Sequence, residues 1–324
     1  MIELINSFEY FIYSFLVTFF LFVFGITFIK RKNYGQYVRK LGPESHFKKQ
    51  GTPIFGGLII IIGAILTYLL YVKKEMINVR YTIIIFIPII MYALIGFIDD
   101  FLKVKFKNND GMSVKMKLIL QFIFSFIYFF MIKDYIDTSI LFFNIEIDLK
   151  YFYIILILFM FVSSTNSFNF CDGMDGLAIG IALIILFGLV YVSIYSNNFD
   201  IYLALLIFSG SSFAFVCFNH KPAKIFMGDS GSMAIGALIC NVCILLKIEL
   251  LLLIFGFVMI FETLSIILQV IYFKVTKGKR LLLMAPIHHH YELKGYNELS
   301  IVYMFWFLQL VCTIIGIILF FIFY

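Results

Sequence analysis

Long apolar runs alternate with short polar islands along the whole chain. The runs fall near 10–29, 54–72, 79–98, 118–133, 151–166, 177–196, 201–218, 231–247, 250–272 and 301–323. A helix needs about 20 apolar residues to cross the hydrocarbon core, so each run has the reach of one span. The pattern predicts an all-α polytopic membrane protein with about ten transmembrane helices, built as a single domain over residues 1–324. The first run follows Glu3 and Glu9 rather than basic residues. It is too long for a signal-peptide core and lacks a small-residue cleavage site, so it is expected to stay as the first span.

Composition strengthens this reading. The chain is 63% hydrophobic and 14% charged and carries 42 Phe, more apolar surface than a soluble domain can hide. The net charge of +6 would point to nucleic acid in a soluble protein, but no nucleic-acid signature accompanies it, and here it reports topology. With the N-terminus outside, the inward loops hold all of the 25 basic residues except Lys73, Lys74, Arg80, Lys133, Lys150 and Lys247. Both termini are therefore expected outside, with the odd-numbered loops in the cytoplasm. The cysteines Cys171, Cys217, Cys240, Cys243 and Cys312 sit in or beside apolar runs. Cys240 and Cys243 have redox-motif spacing, but inside a span they read as packing residues.

The polar islands all fall on that same inward side. In order they are KKQGTPIFGG (48–57), IDDFLK (98–103), NSFNFCDGMDGLA (166–178), FNHKPAKIFMGDSGS (218–232) and MAPIHHHYELKG (284–295). The outward segment KDYIDTSILFFNIEIDLK (133–150), with Asp134, Asp137, Glu146 and Asp148, reads as solvated surface. The cytoplasmic rim is thus where an active-site cleft is expected.

Each island has a plain structural reading beside a chemical one. Thr52 and Pro53 have the form of an N-cap and first helical residue, and Lys49 before them adds to the inward positive charge or contacts a ligand. Asp99 and Lys103, spaced i,i+4, share a helical face, whereas the adjacent Asp99 and Asp100 point about 100° apart and meet one target only if the helix frays. Asn166 with Asn169, and Asp172 with Asp175, repeat at i,i+3, while Gly173 and Gly176 leave room for close backbone approach. A buried network would use the same residue types, but four polar groups among glycines at a membrane rim favour a site. Asp229 or Ser230 can cap the following helix, and Ser230 in that role would free Asp229. His288, His289 and His290 diverge too much to share one ion, so phosphate contact or general acid work suits them better than zinc. Glu262 and Gln269 lie inside a span, where they satisfy a helix break or line the site. Five inward carboxylates with lysines and histidines suit Mg²⁺ held together with substrate phosphates.

Taken in this order on one membrane face, DDFLK, NSFNFCDGMDGLA, FNHKPAKIFMGDSGS and MAPIHHHYELKG resemble the bacterial phospho-N-acetylmuramoyl-pentapeptide transferases, a branch of the polyprenyl-phosphate N-acetylhexosamine-1-phosphate transferase superfamily. The likeness runs from about Gly35 to the last span. It implies transfer of phospho-MurNAc-pentapeptide from UDP-MurNAc-pentapeptide to undecaprenyl phosphate, giving lipid I and UMP, with Mg²⁺ as cofactor. It further implies ten helices, a homodimer and the bacterial cytoplasmic (inner) membrane. By motif, Asp229 is implied as the principal Mg²⁺ ligand with Asp172 nearby, Asp99 and Asp100 as the catalytic centre, and His289 as a catalytic histidine of the cleft. Lys103 and Lys115 are implied as phosphate or nucleotide contacts, and Asn166 and Asn169 as substrate contacts. Lys49, Gly173, Met174, Asp175, Asn219 and Phe226 match the uridine pocket, while Gln269, His288 and His290 lie toward the sugar-peptide side. Ile54 and Cys171 stand where the family usually has Thr, which removes one pocket hydroxyl and no acid.

Chemistry supports the same class. A lipid phosphate with a second pKa of about 6 is already nucleophilic near neutrality, so the main task is to hold two anions in line and stabilise the departing UMP. A related transferase using UDP-N-acetylhexosamine would share the acids and glycines without MAPIHHHYELKG. An ion-coupled transporter would place its acids near mid-membrane rather than at span ends.

Overall fold

The computed structural model describes residues 2–32, 34–35, 49–107, 110–142 and 144–324. Arg39, Lys40 and Lys48, counted above among the inward charges, lie outside the described residues. The helices are α1 (Ile2–Arg31), α2 (Gly56–Tyr71), α3 (Val79–Phe106), α4 (Val114–Ile132), α5 (Tyr153–Cys171), α6 (Leu177–Tyr195), α7 (Phe199–Asn219), α8 (Gly228–Leu245), α9 (Leu252–Phe255), α10 (Phe257–Val275), α11 (Ile287–Leu293) and α12 (Glu298–Phe323). Among the described residues, nine helices are long and apolar enough to cross a membrane, and α2 is an apolar helix of 16 residues that takes the place of the second span. Each expected apolar run therefore holds a helix.

Helix starts are set locally. The side chains of Asn78, Ser113, Asn198 and Asn297 accept hydrogen bonds from backbone N–H groups in the first turns of α3, α4, α7 and α12. Thr52 and Pro53 do not start α2. They sit in a turn where Pro53 bridges Gly35, and α2 begins after Phe55, whose φ of 77° is left-handed. The ninth run is broken at Gly256, whose N–H still reaches Leu252 O (2.8 Å), so α9 and α10 form in place of one helix.

Buried α8 is the centre of the bundle. It packs against α2, α3 and α5, while α1 lies on α2 and α7, and α6 on α7 and α12. Glycines permit the closest approaches: a Cβ at Gly57 of α2 would collide with Gly231 Cα, and one at Gly96 of α3 with Asp229 O. Within the apolar interior, Pro88 removes the amide that would bond Ile84 O. That carbonyl instead accepts from Tyr128 Oη (3.0 Å) and Asn241 Nδ2 (3.2 Å), and Tyr128 and Asn241 bond each other. Unpaired backbone acceptors are costly in such surroundings, so this trio offsets the proline.

The segment after α4 is more ordered than a solvated loop. Strands β1 (Ser139–Phe142) and β2 (Ile145–Asp148) pair antiparallel with Ser139 opposite Asp148, and Tyr324 Oη at the end of α12 donates to Leu141 O (3.2 Å). The described residues of all the islands read above as inward gather at the opposite end of the bundle.

Candidate active site

Among the described residues, two charge clusters occupy that end. The first is built on α3, α4, α5 and α8. Carboxylate oxygens of Asp99, Asp100 and Asp229 all lie within 4.8 Å of one another. Both acids of α3 reach this point although the helix runs on to Phe106 without fraying, Asp100 at the first amides of α8 and Asp99 beside the lysines that Asp229 also holds. Asp100 Oδ2 accepts the backbone N–H of Ser230 (3.0 Å) and its carboxylate also accepts that of Asp229, while Asp172, just past α5, accepts the N–H of Gly228. Carboxylates from other segments thus satisfy the positive end of α8. Neither Asp229 nor Ser230 caps its own helix, and the Asp229 side chain is free to turn toward α4 and α5.

There it meets Lys117 Nζ (2.8 Å) and Lys103 Nζ (3.1 Å) through Oδ2, and Asn169 Nδ2 (3.0 Å) through Oδ1. Asp99 is 2.5 Å from Lys103 Nζ and 3.3 Å from Lys117 Nζ, and also accepts Met112 N–H (2.8 Å). Two ammoniums therefore sit among three carboxylates. Burial, together with the charges of Asp229 and Asp100, pushes the Asp172 carboxyl up to about 7.

The second cluster joins four separate segments. Lys49 Nζ lies 2.7 Å from Asp175 Oδ1 and 2.6 Å from Glu298 Oε1. Glu298 Oε1 also accepts Asp175 N–H (3.1 Å), and Oε2 lies 2.9 Å from Lys221 Nζ. Asp175 Oδ2 accepts Ala223 N–H (3.0 Å). Asn219 ties the same segments by accepting Gly176 N–H (3.0 Å) and donating to Ile225 O (2.9 Å). Burial pulls the Lys49 ammonium down, but hydrogen bonds and charge from Asp175 and Glu298 outweigh it and leave Lys49 above its ordinary value. Phe226 is half-buried, with its backbone joined to Pro53 and Gly56, and Met174 is buried.

Asp172 and Asp175 do not share a helical face, because α5 ends at Cys171; Asp172 reaches the first cluster and Asp175 the second. Asn166 pairs amide to amide with Gln121 of α4 (2.8 Å) rather than with the acids. Wholly buried His288 places Nδ1 3.1 Å from Glu262 Oε1, with Nε2 so close over Gly173 that any Cβ there would collide. His289 Nδ1 lies 3.1 Å from Glu292, and His290 Nδ1 accepts Leu283 N–H (3.1 Å). Gln269 Oε1 accepts the N–H groups of Leu281 (3.1 Å) and Leu282 (2.8 Å), holding the loop after α10. Lys115 is exposed and outside both clusters.

Three residues of these clusters escape the sequence reading: Lys117, Lys221 and Glu298. Lys117 had a signal, since the buried positions of α4, Gln121, Ser125, Tyr128 and Ile132, extrapolate back one turn to it. Glu298 is marked only as an acid just after the helix cap Asn297.

Residues 82–247 match the family described as glycosyl transferase family 4. Over 94% of its length the chain is 41% identical to the phospho-N-acetylmuramoyl-pentapeptide-transferase of Oceanobacillus iheyensis, of which it covers 94%. It is 40% identical to the protein of the same name from Bacillus subtilis, again over 94% of both chains. With the Listeria monocytogenes protein of that name it shares 38% identity over 94% of this chain and 96% of the other.

Proposed function

The chain belongs to the phospho-N-acetylmuramoyl-pentapeptide transferases of glycosyl transferase family 4, and from that premise we propose how its two clusters divide the reaction. The reaction joins phospho-MurNAc-pentapeptide, from its UDP carrier, to undecaprenyl phosphate, giving lipid I and UMP. The observation that carries the proposal is the meeting of Asp99, Asp100 and Asp229 within 4.8 Å, with Lys103 and Lys117 between them.

Hard carboxylate oxygens at this spacing fit Mg²⁺, with Asp229 as the principal ligand, Asp99 and Asp100 in the same group of oxygens, and Asp172 near enough to feel their charge. When bound, the ion supplies charge neutralisation for the diphosphate and the leaving UMP. Lys103 and Lys117 exchange carboxylate partners for phosphate oxygens and offset repulsion between the two anionic substrates. The Asp100 carboxylate is committed to the amides of Asp229 and Ser230, so it positions α8. Asp99 is the acid left to orient the lipid phosphate and take its residual proton, and attack falls directly on the β-phosphate. A trapped phospho-aspartyl enzyme would replace this with a two-step route. The second cluster holds the uridine end. The site faces the cytoplasm of the inner membrane, a reading supported by the loop charges, and the homodimer is carried over from the family resemblance.

The test supplies the purified protein with undecaprenyl phosphate, Mg²⁺ and either UDP-MurNAc-pentapeptide or UDP-GlcNAc, and measures UMP. Release is expected with the first donor alone, and release with UDP-GlcNAc alone would overturn the substrate. A homodimer is checked by the mass of the detergent-solubilised particle.

A further inference from the structure

We infer that Glu298 is a positioning residue for nucleotide binding, one that presets Lys49 and the Gly173–Asp175 turn before substrate arrives. This rests on the reading of Lys49, Asp175 and Asn219 as the uridine end of the site.

Glu298 sits in the first turn of α12, where the helix N-terminus favours negative charge. Its two oxygens reach three segments that are remote in sequence. Oε1 takes both the Lys49 ammonium (2.6 Å) and the Asp175 N–H (3.1 Å), and Oε2 takes Lys221 (2.9 Å). The side chain is 9% exposed, so its contacts with Lys49 and Asp175 are screened little by solvent, while the Lys221 arm lies nearer the surface.

The arrangement solves a recognition problem. The base and ribose of a uridine nucleotide carry no charge, and a mobile lysine beside them would be drawn toward the diphosphate or the Asp99–Asp229 cluster. Two carboxylates, Asp175 and Glu298, grip Lys49 from two directions and compensate its charge. An ammonium has three N–H donors, and with two committed here the third is the donor available to a neutral acceptor on the ligand. By accepting Asp175 N–H as well, Glu298 fixes the backbone of the turn that carries Gly173 and Met174. Binding is then favoured because ordering was completed during folding rather than at association.

The test compares full-length wild type with Glu298→Gln, using UMP binding by calorimetry and steady-state transfer. In Glu298→Gln, the Kd for UMP and the KM for UDP-MurNAc-pentapeptide are expected to rise about tenfold, as for loss of a charged hydrogen bond. The turnover number is expected to stay within about threefold, with KM for undecaprenyl phosphate unchanged. Because part of the effect of Glu298 runs through Lys49, the double variant Lys49→Gln/Glu298→Gln should lose less UMP affinity than the two single losses added together. If Glu298→Gln folds poorly, Lys221→Met cuts only the Oε2 arm and should raise the Kd about two- to threefold. An unchanged UMP Kd in Glu298→Gln, even with a lowered Tm, overturns the inference, as do single-variant losses that add in full. Wild-type protein that binds no UMP overturns the uridine-site reading itself, a failure the variants cannot mimic.

Discussion

Both ends of the bundle hold half-buried lysines among acids, yet they are wired differently. At the end away from the site, Lys247 Nζ bonds Ser139 O (2.5 Å), Asp137 O (3.1 Å) and Tyr153 Oη (3.2 Å), lies over the Tyr153 ring and sits 3.0 Å from Glu249. Two of these contacts are to backbone carbonyls at the start of the hairpin, Asp137 and Ser139, which cannot be withdrawn without displacing β1. At the site end, Lys103 and Lys117 face Asp99 and Asp229, side chains that can trade these cations for a metal ion while the lysines turn to phosphate. The contrast separates a knot that closes structure from a cluster whose partners are exchangeable.

The contrast can be broken at several points. The largest effect is expected for Asp229→Asn, which removes the carboxylate shared by both lysines and should lower UMP release on the order of a thousandfold, as when preorganised charge is lost at a transition state. Next comes Lys117→Met, expected to cost about a hundredfold in kcat/KM, against less than about threefold for Lys115→Met on the exposed side of the same turn. Equal losses for the two lysines would contradict the assignment. Lys247→Met should reverse the pattern, lowering Tm by several degrees while UMP release stays within about twofold, because it strands Glu249. The smallest effect concerns Asp172 in metal-free protein. Its folded pKa near 7 lies above the ordinary 3.8, so the folded state holds a proton the unfolded chain releases, and stability falls as pH rises between those values. Asp172→Asn should therefore raise Tm at pH 8 and leave it unchanged near pH 3; a Tm gain independent of pH would refute that origin.

Much of this was legible in the residues. Apolar runs of spanning length leave little alternative to helices, and loop charge alone groups the islands on one side. The pairing within the site was less legible, because it depends on which side of each helix end meets which neighbour. Asp99 and Asp100 diverge on α3, so Asp100 takes the first amides of α8 while Asp99 turns to Lys103 and Lys117, and the two meet again only around Asp229. The i,i+3 spacing of Asp172 and Asp175 suggested a shared face, but the chain leaves the helix at Cys171 and sends the two acids to different clusters. Lys115 and Lys117 differ only in helical phase, which becomes readable once the buried stripe through Gln121 is followed back. Glu298 meets residues as far as 249 positions away in the chain, a distance no local pattern encodes.

The glycine contacts around the first turn of α8 carry a consequence for genetics. Gly57 and Gly96 stand on other helices and bear no reactive group, yet any side chain at either would have to push against the backbone of Gly231 or Asp229. Alleles at these positions would look like lesions of chemistry in a phenotype screen while leaving every reacting side chain in place. A map of inactivating changes would thus outline the mounting of Asp229 as clearly as the residues that touch substrate.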